Sequence, residues 1–246
     1  MGSSAASPAP PIVGVSSMAT KAVLAELIAD YQRQSGARVA MESVGGVDAA
    51  RRVQDGEPFD LVVLASDAID RLAAAGHLQA GSRVDLVRSP VAMAVRSGSP
   101  RPELGDETAV RQAVLAAPSV GYSTGPSGTH LSRLFERWGI ADQIKARLVQ
   151  PPPGVAVGRL VAGGEVALGF QQLSELIHLP GVDVLGTLPP AIEFITTFSG
   201  AVGARSTQPT AARELLSFMA APAADAAKQR HGMAPARDLS DAGGPA

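Results

Sequence analysis

The chain has 246 residues, a formal net charge of -2 and 46% hydrophobic residues, enough for a sizeable core in one large domain or two smaller lobes. The near balance of charge argues against a nucleic-acid binder, which would carry a basic face, and one Trp and two Tyr are too few for a platform that stacks bases or sugars. There is no cysteine, so disulfides and thiolate metal sites are excluded.

The start, MGSSAASPAPPIVGV, has neither the basic segment nor the apolar run of a leader peptide. Two locations stay open: periplasmic if a leader was removed, cytoplasmic otherwise. No window approaches the length of a membrane span, so membrane insertion is not expected.

Short apolar runs alternate with helical periods from there on. IVGV reads as a strand, TKAVLAELIADYQRQSG as a helix ending at Gly36, and RVAMES as a second strand. VDAARRVQDG predicts a helix, FDLVVLA a buried strand, and SDAIDRLAAAG a helix capped by Ser66 or Asp67. This βαβαβα order implies a mainly parallel sheet with helices on both faces. SPVAMAVRSG, residues 89–98, is a long alternating segment that could leave this unit. TAVRQAVLAA (helix), SVGYS (strand), GYSTGPSGTH with its helix LSRLFERWGI, ARLVQPPPG (strand and turn), VAVGRLVAGG (helix) and EVALGFQQ (strand) follow. EFITTFSGAVGA, residues 193–204, is a second long alternating segment. TAARELLSFMAAPAADAAKQRHG reads as one closing helix, followed by an Ala, Gly and Pro tail expected to be disordered.

The expected fold class is therefore α/β, with two units joined by two long strands. Residues 1–88 with 205–246 form the first lobe, and residues 89–204 the second, hinge strands included. VSSMATKAVLAELIADYQRQSG, VQDGEPFDLVVLASDAIDRL, GYSTGPSGTHLSRLFERWGI and VAVGRLVAGGEVALGFQQLSEL, in that order over about 200 residues, resemble the type II periplasmic solute-binding proteins. The likeness is greatest to the molybdate-binding proteins and their relatives, a group that also includes an enzyme, aconitate isomerase. It implies two mainly parallel α/β lobes that close on a small anion about a two-strand hinge. A monomer without cofactor or metal is expected, with an ABC-transporter permease as a candidate partner. Binding loops would sit at strand ends, as in open α/β sheets generally.

Helix N-termini present unpaired N–H groups and the positive end of the dipole, which suits an oxyanion or carboxylate. In VSSMATK the resemblance carries Ser16 or Ser17 to the ligand with the amides from Met18 onward, while the plainer role of Ser17 is a helix cap. In SVGGVDAARR, Ser43 offers a hydroxyl, and Gly45 and Gly46 let the backbone approach a ligand; Arg51 and Arg52 read as a solvated face. Ser123, Thr124, Ser127, Gly128 and Thr129 supply the second lobe's share, in a loop that is not a Walker A motif because no Lys follows its last glycine. Gly154 and Val155 after the prolines, and Gln171 and Gln172 at a strand end, complete the set. The molybdate-binding relatives often carry a tyrosine near those glutamines. Paired amides suit carboxylates on an extended ligand better than a compact tetrahedral anion.

The four His residues are scattered, without metal-ligand spacing. His130 is the candidate general base if the chain is an enzyme, with Lys21, Tyr122 and Glu42 behind it. The function expected is thus a solute-binding protein for a di- or tricarboxylate, or for an oxyanion such as molybdate. The alternative is a cofactor-independent isomerase of an unsaturated tricarboxylate. A ligand sensor with the same domain would need a DNA-binding segment, and the sequence contains none.

Overall fold

The structure, a computed structural model, describes residues 9–152 and 154–237. The first eight residues, Pro153 and the tail from residue 238, where most of the expected disorder falls, lie outside the described residues.

The first unit opens with β1 (Ile12–Ser17), a 3-10 turn at Met18–Thr20, and α1 (Lys21–Ser35). Gly36 closes α1 at φ 71°, the left-handed geometry glycine adopts without penalty. Next come β2 (Val39–Val44), α2 (Gly46–Gln54), β3 (Leu61–Ala65) and α3 (Ser66–Ala74). Strands β2 and β3 both run parallel to β1, one on each side. The run LVVLA is buried on both faces, and its alternation divides the core. Leu61, Val63 and Ala65 pack under α1, while Val62 and Leu64 face α2 and α3. Neither Ser66 nor Asp67 caps α3, contrary to expectation. Ala65 is its N-cap, with no side-chain hydrogen bond, so the first amides of this helix lack a side-chain partner.

β4 (Val84–Arg96) is longer than the alternating segment suggested. Its first part pairs with β9 (Ile195–Val202), its later part with β7 (Leu168–Gln172) and β8 (Val182–Thr187). β9 lies between β3 and β4, antiparallel to both. The strand order is therefore β2-β1-β3-β9-β4-β7-β5-β6, where β5 is Val120–Tyr122 and β6 Leu148–Val149. Helices α4 (Glu107–Ala116), α5 (Pro126–Arg137), α6 (Ala141–Ile144), α7 (Val157–Gly163) and α8 (Leu173–Leu176) belong to this second unit. Val91, Met93 and Val95 of β4 face α4 and α5, and Ala92 and Ala94 meet α8.

The closing helix is two helices, α9 (Pro209–Ala220) and α10 (Asp225–Arg230), because Pro222 cannot continue the first. The start of the expected disordered tail is ordered: Ala234 and Pro235 form β10, antiparallel to β4. Asp60, 3% exposed, pins the returning chain. It accepts hydrogen bonds from the amides of Val13 (2.9 Å), Thr207 (2.9 Å) and Gln208 (3.1 Å) and from Ser206 Oγ (2.7 Å). Burial alone would raise its carboxyl, but these four bonds outweigh that and hold it below the ordinary range.

Candidate functional site

A cleft of about 610 Å³ runs between the two units, within the usual range for small-molecule sites. The first unit lines it with Ser17, Met18, Gly45, Gly46 and Ala65. The second brings Ser123, Thr124, Gly125, Ser127, Gly154, Val155, Gln171 and Gln172, and Thr196 and Phe198 of β9 stand between.

Three helices begin at this wall without a side-chain cap, α2 after Gly45, α3 after Ala65 and α5 after Gly125, whereas in the first turn of α7, after Ala156, the Gly158 amide is taken by a glutamine side chain. In α2 the first intrahelical bond is Ala49 N–H to Gly45 C=O, and in α5 it is Thr129 N–H to Gly125 C=O. The amides before those bonds are the orphan donors of helix starts, and they come from both sides of one cleft. Ser123 Oγ and Ser127 Oγ are 2.9 Å apart, a hydroxyl pair that can turn a proton outward. Ser17 Oγ accepts from Ala19 N–H at 3.4 Å, a long bond that a charged ligand could displace.

Several sequence-predicted residues stand elsewhere. Ser16 and Ser43 are register partners in the β1–β2 pair, with hydroxyls 2.8 Å apart, and neither lines the cleft. Successive strand residues face opposite ways, so Ser17 lines the cleft and Ser16 is fully buried. Gly128 is buried beneath the carbonyl of Ser123, and Thr129 turns back to Gly125 C=O at 3.5 Å. His130 lies inside α5 and not at its start, stacked on Phe194 with ring centroids 4.4 Å apart. Burial lowers its pKa, and it does not line the cleft. Lys21, Tyr122 and Glu42 are also outside the lining.

Both glutamines are buried at the cleft floor, Gln171 engaged at both ends of its amide and Gln172 at its nitrogen, with Gln172 Oε1 left without a partner among the described residues. Gln171 Oε1 accepts from Gly158 N–H at 2.8 Å, and its Nε2 donates to Glu175 Oε1 at 2.8 Å. Gln172 Nε2 donates to Thr196 Oγ1 at 2.7 Å. Glu175 was not anticipated, although GFQQLSEL puts it four residues after Gln171. Burial pushes its carboxyl up to about 7, against a smaller opposing effect of the Gln171 hydrogen bond. It keeps some solvent access through the cleft while protein packs closely around it, as expected at the floor of a deep site. Asp48 and Asp67, the other carboxylates of the lining, are paired with Arg51 (3.1 Å) and Arg71 (2.8 Å). Among the described residues no three His, Asp or Glu stand close enough to hold a metal ion, and no helix is long and apolar enough to cross a membrane.

Two α/β lobes joined through β4 and β9, with a cleft of helix N-termini between them, define a solute-binding fold. The chain belongs to the bacterial extracellular solute-binding protein family, whose sequence profile matches residues 12–234. It is 38% identical over 239 residues to an aconitate isomerase from Pseudomonas sp, covering 94% of this chain and 90% of that one. In fold it is similar to the periplasmic molybdate-binding protein of Azotobacter vinelandii (TM-score 0.77, 20% identity, 92% of this chain and 100% of that). A similar likeness holds to a sulfate-binding protein of Mycobacterium tuberculosis (TM-score 0.73, 20% identity, 95% and 90%).

Proposed function

We propose that the protein takes a small unsaturated tricarboxylate into the cleft and interconverts its cis and trans forms, the activity named for its Pseudomonas relative. The observation that carries this reading is the cleft wall. Uncapped helix starts and hydroxyls approach from both lobes, and the two arginines present are already paired with aspartates. Such a wall favours an extended anion held at several carboxylates by neutral donors. Ser17, Met18, Gly45 and Gly46 serve one end of it, and Ser123, Thr124, Ser127, Gly154 and Val155 the other. The residue division given above, with closure about β4 and β9, belongs to the same proposal.

The reaction needs no cofactor. A base removes a proton from the methylene beside one carboxylate, the double bond shifts along the allylic unit, and the proton returns at the far carbon. Donors around the carboxylates stabilise the dienolate formed between these steps.

A second reading, a carrier of the same anion for a membrane permease, is supported by the fold. Proton NMR of trans-aconitate incubated with the protein separates the two. A growing cis signal supports the isomerase, and an unchanged but bound ligand supports the carrier. No binding of any tricarboxylate, with a melting-point rise on molybdate or sulfate, refutes both carboxylate readings.

A further inference from the structure

We propose that Glu175 is the acid–base group of this cleft, taking the proton from the substrate methylene and returning the same proton to the far carbon of the allylic unit. The inference rests on the isomerase reading and goes past it by naming the residue.

Three observations converge on this side chain. Of the carboxyls lining the cleft it is the one without a cation, since Asp48 and Asp67 are committed to Arg51 and Arg71 on the more solvent-facing surfaces of α2 and α3. One oxygen of its carboxyl is anchored. Gln171 takes the Gly158 amide with its oxygen and so must present its nitrogen to Glu175 Oε1. Among the described residues Oε2 has no hydrogen-bond partner, which leaves it available to a substrate C–H. Finally, no His, Lys or Tyr lines the cleft among the described residues, so no other ordinary base competes for the role.

The environment matches the task. A general base works best with a proton affinity near the working pH, and burial brings Glu175 to about 7. A trianionic substrate close by raises that affinity further.

The proton and electron count closes on this one group. Ionised Glu175 takes H⁺ from the methylene, and the freed C–H pair forms the new double bond to the central carbon. The old double-bond pair moves to the far carbon and its carboxylate. The neutral Glu175 then gives its proton to that far carbon. The two carbons are separated by a single atom, so small movements of one carboxyl reach both.

The test is proton NMR of trans-aconitate with wild type and Glu175→Gln, alongside thermal shifts with the same compound. The Gln side chain keeps the shape and the Gln171 contact but cannot take the proton. Expected is a loss of turnover of about 100-fold or more, the usual scale for a lost general base, with the melting-point rise on trans-aconitate retained. Turnover in Glu175→Gln within 10-fold of an active wild type overturns the role of Glu175 and leaves the isomerase reading standing. An inactive wild type overturns both. Should Glu175→Gln not fold, the wild-type dependence of kcat/KM on pH decides. A rise with pH through one ionisation between pH 6 and 8 supports the proposal, and a flat profile across that interval overturns it.

Discussion

Replacing Gly128 by Ala tests whether the Ser123–Ser127 loop is held in the shape the cleft requires. A Cβ at position 128 would stand 1.7 Å from the carbonyl oxygen of Ser123 and 2.8 Å from its carbonyl carbon. Ordinary contact begins near 3.4 Å, so the carbonyl must retreat by about 1.7 Å. Because the obstacle is backbone, no rotamer change relieves it. The loop that carries Ser123, Thr124 and Gly125 would have to swing off the start of α5. Overpacking of this kind costs about 1–3 kcal/mol, which for a chain of this size lowers Tm by roughly 2–12 °C. Misplacing substrate-holding groups by an ångström or more costs on the order of 100-fold in kcat/KM, or the corresponding loss of affinity. Circular dichroism melts and titration calorimetry with trans-aconitate measure both. Gly105→Ala serves as the control, since nothing lies within 4 Å of a Cβ there. Wild-type melting together with wild-type ligand affinity in Gly128→Ala would refute the reasoning.

Asp60→Ala should lower stability at neutral pH by about 3–5 kcal/mol, because it strands three backbone amides and a hydroxyl that now meet one carboxylate. The folded-state pKa of Asp60 is depressed, so its contribution is present above the unfolded value of about 3.9 and fades as pH falls through the folded one. The gap between wild type and Asp60→Ala in urea melts should therefore narrow below pH 4, and a gap independent of pH would contradict this. Ser17→Ala should weaken tricarboxylate binding by about 1.5–3 kcal/mol in calorimetry, the range for a hydrogen bond to a charged group, while Ser16→Ala acts on stability through its bond to Ser43. His130→Ala should cost roughly 1 kcal/mol of stability through the lost stack on Phe194 and leave turnover within a few-fold, and abolished turnover in a folded protein would reinstate it as the base.

The course of the chain was legible wherever hydrophobic period and punctuation agreed. LVVLA read as a buried strand and is one, enclosed on both faces, and the two alternating segments proved to be β4 and β9, the strands that join the units. Local chemistry misled where a residue's usual preference met an exception. Ser66 is a good cap in isolation, yet Ala65 holds that position and leaves the amides of α3 bare. The run from residue 209 to 232 has helical composition throughout, and only Pro222 betrays the break.

For the cleft, the loops could be read and the facing of side chains could not. Ser16 and Ser17 are chemically identical, and register alone turns one inward to Ser43 and the other to the cleft. Glu175 was hidden for a related reason. An acidic residue on a short helix normally faces solvent, and only the packing of α8 against β7 and β4 encloses it. His130 drew notice by its place beside a hydroxyl-rich loop, but α5 had already begun at Pro126 and its turn carries the ring to Phe194.

The insertion of β9 between β3 and β4 sets an order of events during synthesis. β4 to β8 are contiguous in the chain, so the second unit has nearly all its parts once residue 187 has left the ribosome. The first unit at that moment has a sheet that ends at β3, with an unpaired edge and the apolar residues that will meet α9 still exposed. It stays open until some fifty further residues deliver β9, α9, α10 and β10. An unfinished apolar edge of that kind is what chaperones recognise and what aggregation exploits. Truncations near the C-terminus should therefore damage the fold at its N-terminal sheet, far away in sequence from the cut.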